Sequence, residues 1–404
     1  MTRPDGPVLY TSTFWTACAI HFTGGMSFGI FILFPLFIRF LGGDELRIGL
    51  VLGTGLAASV ALRPTVGALL DRLGRRRVLL WSGVANAASY PLFLLVGTPG
   101  PALFALATLH LVVQGALFAS FFTYAADLIP SERRVEGIAI FGVAGMAPNG
   151  LGPALGEIVI ARNGWPGFFL TATGFALLST LLTLLVPEHG PTRGGAVASA
   201  RAAVRELLHL VGRGRLGAVM VATVLFGAGI NAAFFFVAPF TRDLGIARAA
   251  PFFAAYASTT ILLRVFGRRL PDRVGAERIA VPSFAVFAFG LAALALLPRP
   301  GILVLAGVAC GAGHGSLFPV LNGLAVSRTP APFRGTIVGL YTAALDGGAV
   351  VGTPLCGAIA RVAGYPTMFA TMAATSVVGL MLMAAEARRP PPGLVGMDGL
   401  AVDG

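Results

Sequence analysis

The chain contains no lysine, only 17 acidic residues and only three cysteines among its 404 positions. Charged residues amount to 11% against 56% apolar ones, which excludes an ordinary soluble domain, whose surface needs far more charge. Cys18, Cys310 and Cys356 each fall inside an apolar run, so they suit small-residue packing and supply neither a disulfide framework nor a zinc site. Without lysine there is no Gly-Lys-Ser/Thr phosphate loop, which excludes transport driven by the chain's own ATP hydrolysis. A His-Glu-x-x-His metal helix is missing too, and the sequence predicts no enzyme, no cofactor and no metal.

What the sequence has is apolar runs of about 20 residues, enough to span roughly 30 Å of hydrocarbon, separated by short polar breaks. They predict an all-α integral membrane protein with twelve spans, at 12–40, 46–69, 78–97, 101–126, 137–161, 166–187, 214–241, 249–267, 279–297, 301–326, 335–361 and 365–385. The first run lacks a basic region followed by a small-residue cleavage site and reads as a retained helix rather than a signal peptide.

A net charge of +12 invites a nucleic-acid reading, but the distribution of the 29 arginines points to membrane topology instead. One alternate set of breaks holds 20 of them, while the opposite set holds seven: Arg39, Arg47, Arg162, Arg242, Arg248, Arg299 and Arg361. The positive-inside rule puts the rich set and both termini in the cytoplasm, which requires an even number of spans. The arginine-only basicity and short loops fit a bacterial plasma (inner) membrane.

The longest break divides the spans six and six, giving a first bundle at 1–187, a linker at 188–213, a second bundle at 214–385 and a tail at 386–404. The halves are related in sequence. A shift of 201 lays residues 62–78 on 263–279 with seven identities in 17, among them Arg63 with Arg264, Asp71 with Asp272, Arg72 with Arg273 and Gly74 with Gly275. The same shift pairs Pro153 with Pro354 and Gly156 with Gly357. Such parallel repeats place a substrate site between two halves that rock about it.

Between the second and third spans, GALLDRLGRRRV (67–78) is similar to the signature loop of the major facilitator superfamily. The resemblance implies two pseudo-symmetric six-helix bundles and a cytoplasmic gate built from Gly67, Asp71, Arg72, Gly74, Arg75 and Arg76. Its second copy carries Asp272, Arg273 and Gly275 but has Pro271 before the acid and Glu277 in the place of Arg76. The cluster DLIPSERRVEG (127–137) resembles the family's charge cluster after helix 4 and adds Glu132 and Arg134. Helix 4 keeps Gln114 and Gly115 of a proton-coupled pattern but has Leu111 where that pattern has arginine. On helix 5, Gly152, Pro153 and Gly156 resemble the Gly-Pro-x-x-Gly core associated with antiporters, with small residues allowing close approach and proline loosening the backbone.

Ionisable groups deep in a bilayer cost several kcal/mol and demand a partner, a cavity or a function. Asp346 lies about 16 Å along helix 11 and is the expected proton-coupling carboxylate. Glu157, toward the outer end of helix 5, is the second candidate, placed either to bind a cationic substrate or to contact external water. His21, His110, Gln114, Asn149, Asn231 and His314 fall at intermediate depths and suggest a polar patch lining a cavity between the halves, although each alone suits an interhelical hydrogen bond. Phe234, Phe235 and Phe236 beside Asn231 suit an aromatic substrate or lipid-facing packing. Arg63 and Arg264 are expected either to reach inner-loop carboxylates such as Asp71 and Asp272 or to snorkel to headgroups. No midplane arginine, the group that favours an anion, is predicted.

The reading is a monomeric secondary transporter in the bilayer that moves a small-molecule substrate, coupled to protons or another ion, with no nucleic-acid partner. Efflux of a drug-like compound or small metabolite by proton antiport is expected. Proton-linked uptake of an organic anion or sugar is the alternative, and a non-transporting sensor or scaffold the alternative of another class.

Overall fold

The computed structural model describes residues 9–188, 215–267, 274–296, 300–330 and 333–388. Within them every regular element is helical, as lipid demands of a chain whose N–H and C=O groups cannot turn to water. The α-helices are α1 (Ser12–Phe31), α2 (Phe34–Phe40), α3 (Glu45–Leu73), α4 (Arg75–Leu92), α5 (Pro101–Leu128), α6 (Arg134–Thr183), α7 (Arg215–Asp243), α8 (Ala250–Phe266), α9 (Ala276–Ala295), α10 (Pro300–Ser327) and α11 (Arg334–Ala387).

Local chemistry sets their ends. Thr11 caps α1 by accepting from Phe14 N at 3.2 Å, Asp44 caps α3 by accepting from Arg47 N at 2.8 Å, and α5 begins on Pro101, whose missing N–H is harmless at a first turn. Residues 32–33 interrupt the first crossing just before Pro35, which has no N–H to continue the ladder.

Nine described helical stretches are long and apolar enough to cross a membrane, and two of them, 48 and 52 residues long, double back on themselves. The corners are Gly164 (φ 63°) and Gly364 (φ 81°), left-handed positions each followed two residues on by a proline inside the returning arm. Helices expected as separate spans with short breaks are therefore joined through a single residue in each half. With the shorter α8, the described chain supplies twelve crossings, and the expected boundaries agree to within a few residues elsewhere.

The near end of the bundle holds Ser12 and Ala387; the far end holds the Gly164 and Gly364 corners. One buried cluster runs from Ile30, Phe34, Phe93 and Phe168 of the first half to Phe236, Phe252 and Phe369 of the second, joining the halves at the far end. A separate cluster around Phe14, Leu79, Phe121 and Phe141 packs the near end of the first half alone. Glycines permit the far-end closure. A Cβ on Gly49 would lie 2.8 Å from Thr353 O, and one on Gly150 would lie 3.0 Å from Ala257 Cβ, so α3 meets α11 and α6 meets α8 at backbone range.

Candidate functional site

Three polar constructions occupy this frame: a lock at the far end, a pair at mid-depth and a brace at the near end. The lock spans the halves. Arg39 pairs with Glu45 and with Asp243 at 3.0 Å, Arg361 pairs with Asp44 at 3.1 Å, and Tyr365 Oη donates to Glu45 at 3.3 Å. Glu157 belongs to this lock. Only 7% exposed, its carboxylate accepts from Ala249 N at 2.6 Å and Ala250 N at 3.4 Å, where the dipole of α8 is positive. The expected contact with a substrate or with outside water is replaced by a cap across the two halves.

At mid-depth Asp346 forms an ion pair with Arg63, linking α11 of one half to α3 of the other. Arg63 lies about 15 Å above the near end of α3 and Asp346 about 18 Å above that of α11. Their side chains are 35% and 25% exposed, so the pair sits in a partly accessible interior. The expectation that Arg63 reaches Asp71 or snorkels is corrected here. Its partner comes from the other repeat, a pairing that no comparison within one loop reveals.

Among the described residues the near-end brace stays inside the first half. Arg75, 5% exposed, bonds Asp127 at 2.8 Å and Leu70 O at 3.1 Å and lies 3.7 Å from Asp71. Arg76 donates to Thr183 O at 3.2 Å and Leu184 O at 2.9 Å, while its backbone N–H donates to Glu188 at 3.1 Å. Gly74 turns at φ 90°, and a Cβ there would come within 2.5 Å of Glu188 Oε1. Among the described residues, nothing lies within 4 Å of a Cβ on Gly67 or on Gly275, the latter also at positive φ. Arg72 and Glu132 are exposed; Arg134 opens α6. Asp272 and Arg273 lie outside the described residues.

The six expected cavity residues do not form one patch. His21 is buried between α1 and α6, with Nδ1 3.0 Å from Phe141 O and its ring 4.2 Å from that of Phe141. His110 is fully buried, 2.7 Å from Ser89 Oγ, and Gln114 donates to Tyr90 Oη at 2.9 Å, so both belong to the interior of the first bundle. Asn149 lies against Met146 and Asn231 donates to Gly227 O at 2.9 Å. Phe234, Phe235 and Phe236 are buried and do not form a lipid face.

His314 stands apart. Its Nδ1 is 2.5 Å from Tyr256 Oη and its Nε2 is 3.4 Å from Arg264 Nη2. Arg264, expected at Asp272 or the headgroups, turns inward and lies 5.3 Å over the ring of Phe318. The head of Arg264 thus joins that of mid-depth Arg63 in the interior, where no midplane arginine was predicted. The helix-5 motif does its part by contact: a Cβ on Gly152 would lie 2.5 Å from Gly29 Cα, with Pro148 and Pro153 on the same arm and Gly156 facing Leu33 and Ile30.

Two six-crossing halves, a polar interior pair between them and a far end locked across the halves define a polytopic helical carrier. Comparison supplies the family: the Major Facilitator Superfamily profile matches residues 16–298 and 250–398, and the chain belongs to that superfamily. It is 26% identical over 376 residues to an MFS-type transporter of Salmonella typhimurium, covering 91% of this chain and 94% of that one. It is 25% identical over 395 residues to the staphylopine export protein of Staphylococcus aureus, covering 92% and 94%. The solved structure of the nucleoside transporter NupG superposes with a TM-score of 0.77 at 16% identity, covering 94% of this chain and all of that one, a likeness of fold. The protein is a multi-pass membrane transporter and not an enzyme.

Proposed function

We propose that the chain is a proton-coupled exporter that exchanges a small molecule for protons by alternating access, with Arg63–Asp346 as the coupling element. The single observation that carries this reading is the ion pair between the halves at mid-depth. A carboxylate that must leave its arginine when the halves part is a natural acceptor for an incoming proton, because the charge it loses is the charge that held the pair. The closed far end and separately packed near end of the first half support an inward-open resting form, with the near end, the termini and the brace of Asp71, Arg75 and Arg76 on the cytoplasmic side. Export draws support from the small-residue crossing at Gly152 and from the full-length likeness to the staphylopine export protein.

In this proposal the bundles are 1–187 and 214–385, joined by a linker at 188–213, with a tail at 386–404. A monomer in the bacterial inner membrane encloses its own pathway. Glu157 holds the external lock, and Asp346 alone carries the proton.

The test is proton flux in proteoliposomes under an imposed pH gradient, challenged with lipophilic cations, aromatic antibiotics and organic acids, comparing wild type with Asp346→Asn. Compound-driven proton movement in wild type and its loss in the variant are expected. Unchanged coupling in Asp346→Asn removes the carboxylate from the mechanism, and no proton movement with any compound removes antiport.

A further inference from the structure

Arg264 sits at the near end of α8, about 21 Å from its far end, with only Val265 and Phe266 after it in the helix. Its head nevertheless turns toward the bundle interior and meets His314, near the middle of α10, and the face of Phe318. A guanidinium has donors only, so His314 Nε2 must accept from Arg264. The imidazole is then neutral with its proton on Nδ1, and that N–H donates to Tyr256 Oη at 2.5 Å. Tyr256 has thereby used a lone pair and keeps its own O–H to donate. The donations run one way, from Arg264 through His314 to Tyr256, and the cluster ends in the remaining guanidinium N–H groups and one phenol O–H. Such a set has no use for a cation; it is a receptor for an anionic oxygen.

The duplication sharpens the point. Arg63 is the equivalent of Arg264 and has Asp346 as its counter-charge. Moving 201 residues back from Asp346 gives Gly145, which carries no side chain, and among the described residues no carboxylate lies within ion-pair distance of Arg264. Among the described residues, the repeat that supplied one arginine with an acid left the other without one. Around the cluster, Phe226 lies 5.7 Å from the His314 ring and Tyr341 lies 5.7 Å from Phe318, so aromatic walls flank the charged end.

We propose that Arg264, His314 and Tyr256 form the substrate-anion subsite of this transporter, taking the carboxylate of a small organic acid whose apolar or aromatic body rests on Phe318. The assignment rests on the transporter reading above and narrows its substrate class, while it leaves the coupling role of Asp346 independent. Arg264 and Tyr256 are ligand contacts; His314 is a positioning residue that fixes both.

The experiment measures binding and uptake by purified protein, in detergent and in proteoliposomes, of matched pairs: benzoate with benzamide, 3-phenylpropionate with its amide, and indole-3-acetate with its amide. Wild type is expected to favour at least one acid over its amide by about tenfold or more, the worth of a charge-assisted hydrogen bond. Arg264→Gln is expected to erase the preference, Arg264→Lys to retain part of it, and Tyr256→Phe to weaken the acid alone. The lysine variant keeps the charge, so it reports on recognition even if the glutamine variant folds poorly. Equal binding of acid and amide by wild type in all three pairs overturns the proposal, as does a preference that survives in Arg264→Gln. Displacement of the acids by phosphatidylglycerol but not by phosphatidylcholine assigns the cluster to a lipid phosphate and overturns it as well. Acid binding that depends on Arg264 in a protein that moves no protons leaves this subsite standing and the antiport reading fallen.

Discussion

Arg63 and Arg264 begin as equivalent residues of a duplicated unit and end with different partners, one a carboxylate, the other a neutral imidazole. The difference has a thermodynamic signature. Removing either charge of the Arg63–Asp346 pair leaves the other uncompensated. A loss of about 1–2 kcal/mol is expected, smaller than the ~3–5 kcal/mol typical of a fully buried pair because water still reaches both groups. Arg63→Gln should therefore lower the unfolding midpoint in detergent, and the exchange Arg63→Asp with Asp346→Arg should recover much of the loss; a double variant no more stable than either single one means that the two do not stabilise each other. At this scale the sequence was legible only in part. Depth along a helix marked Asp346 as interior, but a linear count gives no side-chain direction, so it could not turn Arg264 inward or hand Glu157 to the N-terminus of α8. The signal available for the far-end lock was the presence of Arg39 and Arg361 in the arginine-poor breaks, near Asp44 and Asp243.

Helices in this protein touch through glycines, and neighbouring glycines on one helix can have opposite duties. A Cβ on Gly348 of α11 would drive into Val224 O of α7, whereas one on Gly347 would meet nothing within 4 Å among the described residues. Gly348→Ala should part the two helices and destabilise the second bundle by about 1–3 kcal/mol, the range of overpacking, while Gly347→Ala should be close to neutral. Thermal unfolding of the two variants checks this directly, and equal effects at both positions contradict the crossing. Boundaries of most helices were visible in the run of apolar residues, since the length needed to span hydrocarbon is fixed. The single-residue corners at Gly164 and Gly364 were not, because a short polar break looks the same whether it forms a loop or one left-handed residue.

Across the whole molecule, the far end carries ion pairs that cross between halves, and the near-end pairs among described residues stay within one half. If the halves rock, the far-end contacts must break in each cycle. Asp44→Cys with Arg361→Cys, joined by a short reducible bifunctional thiol reagent, is expected to arrest transport and to release it on reduction. Continued transport by the cross-linked protein shows that the halves do not separate there. The duplication and the loop at 67–78 made the superfamily readable before any coordinates, since both are local patterns in the chain. Which end is closed depends on contacts between residues 200 or more apart, such as Arg39 with Asp243, and no local pattern records them.

The corners at Gly164 and Gly364 also bear on how force passes through the bilayer. Two arms that meet at one residue have little slack between them, so an axial slip of the arm at residues 134–163 is expected to carry residues 165–183 with it. Each half thus owns one lever whose arms must travel together, and a spacer of flexible residues spliced at either corner would disconnect the stroke while leaving every interior contact in place.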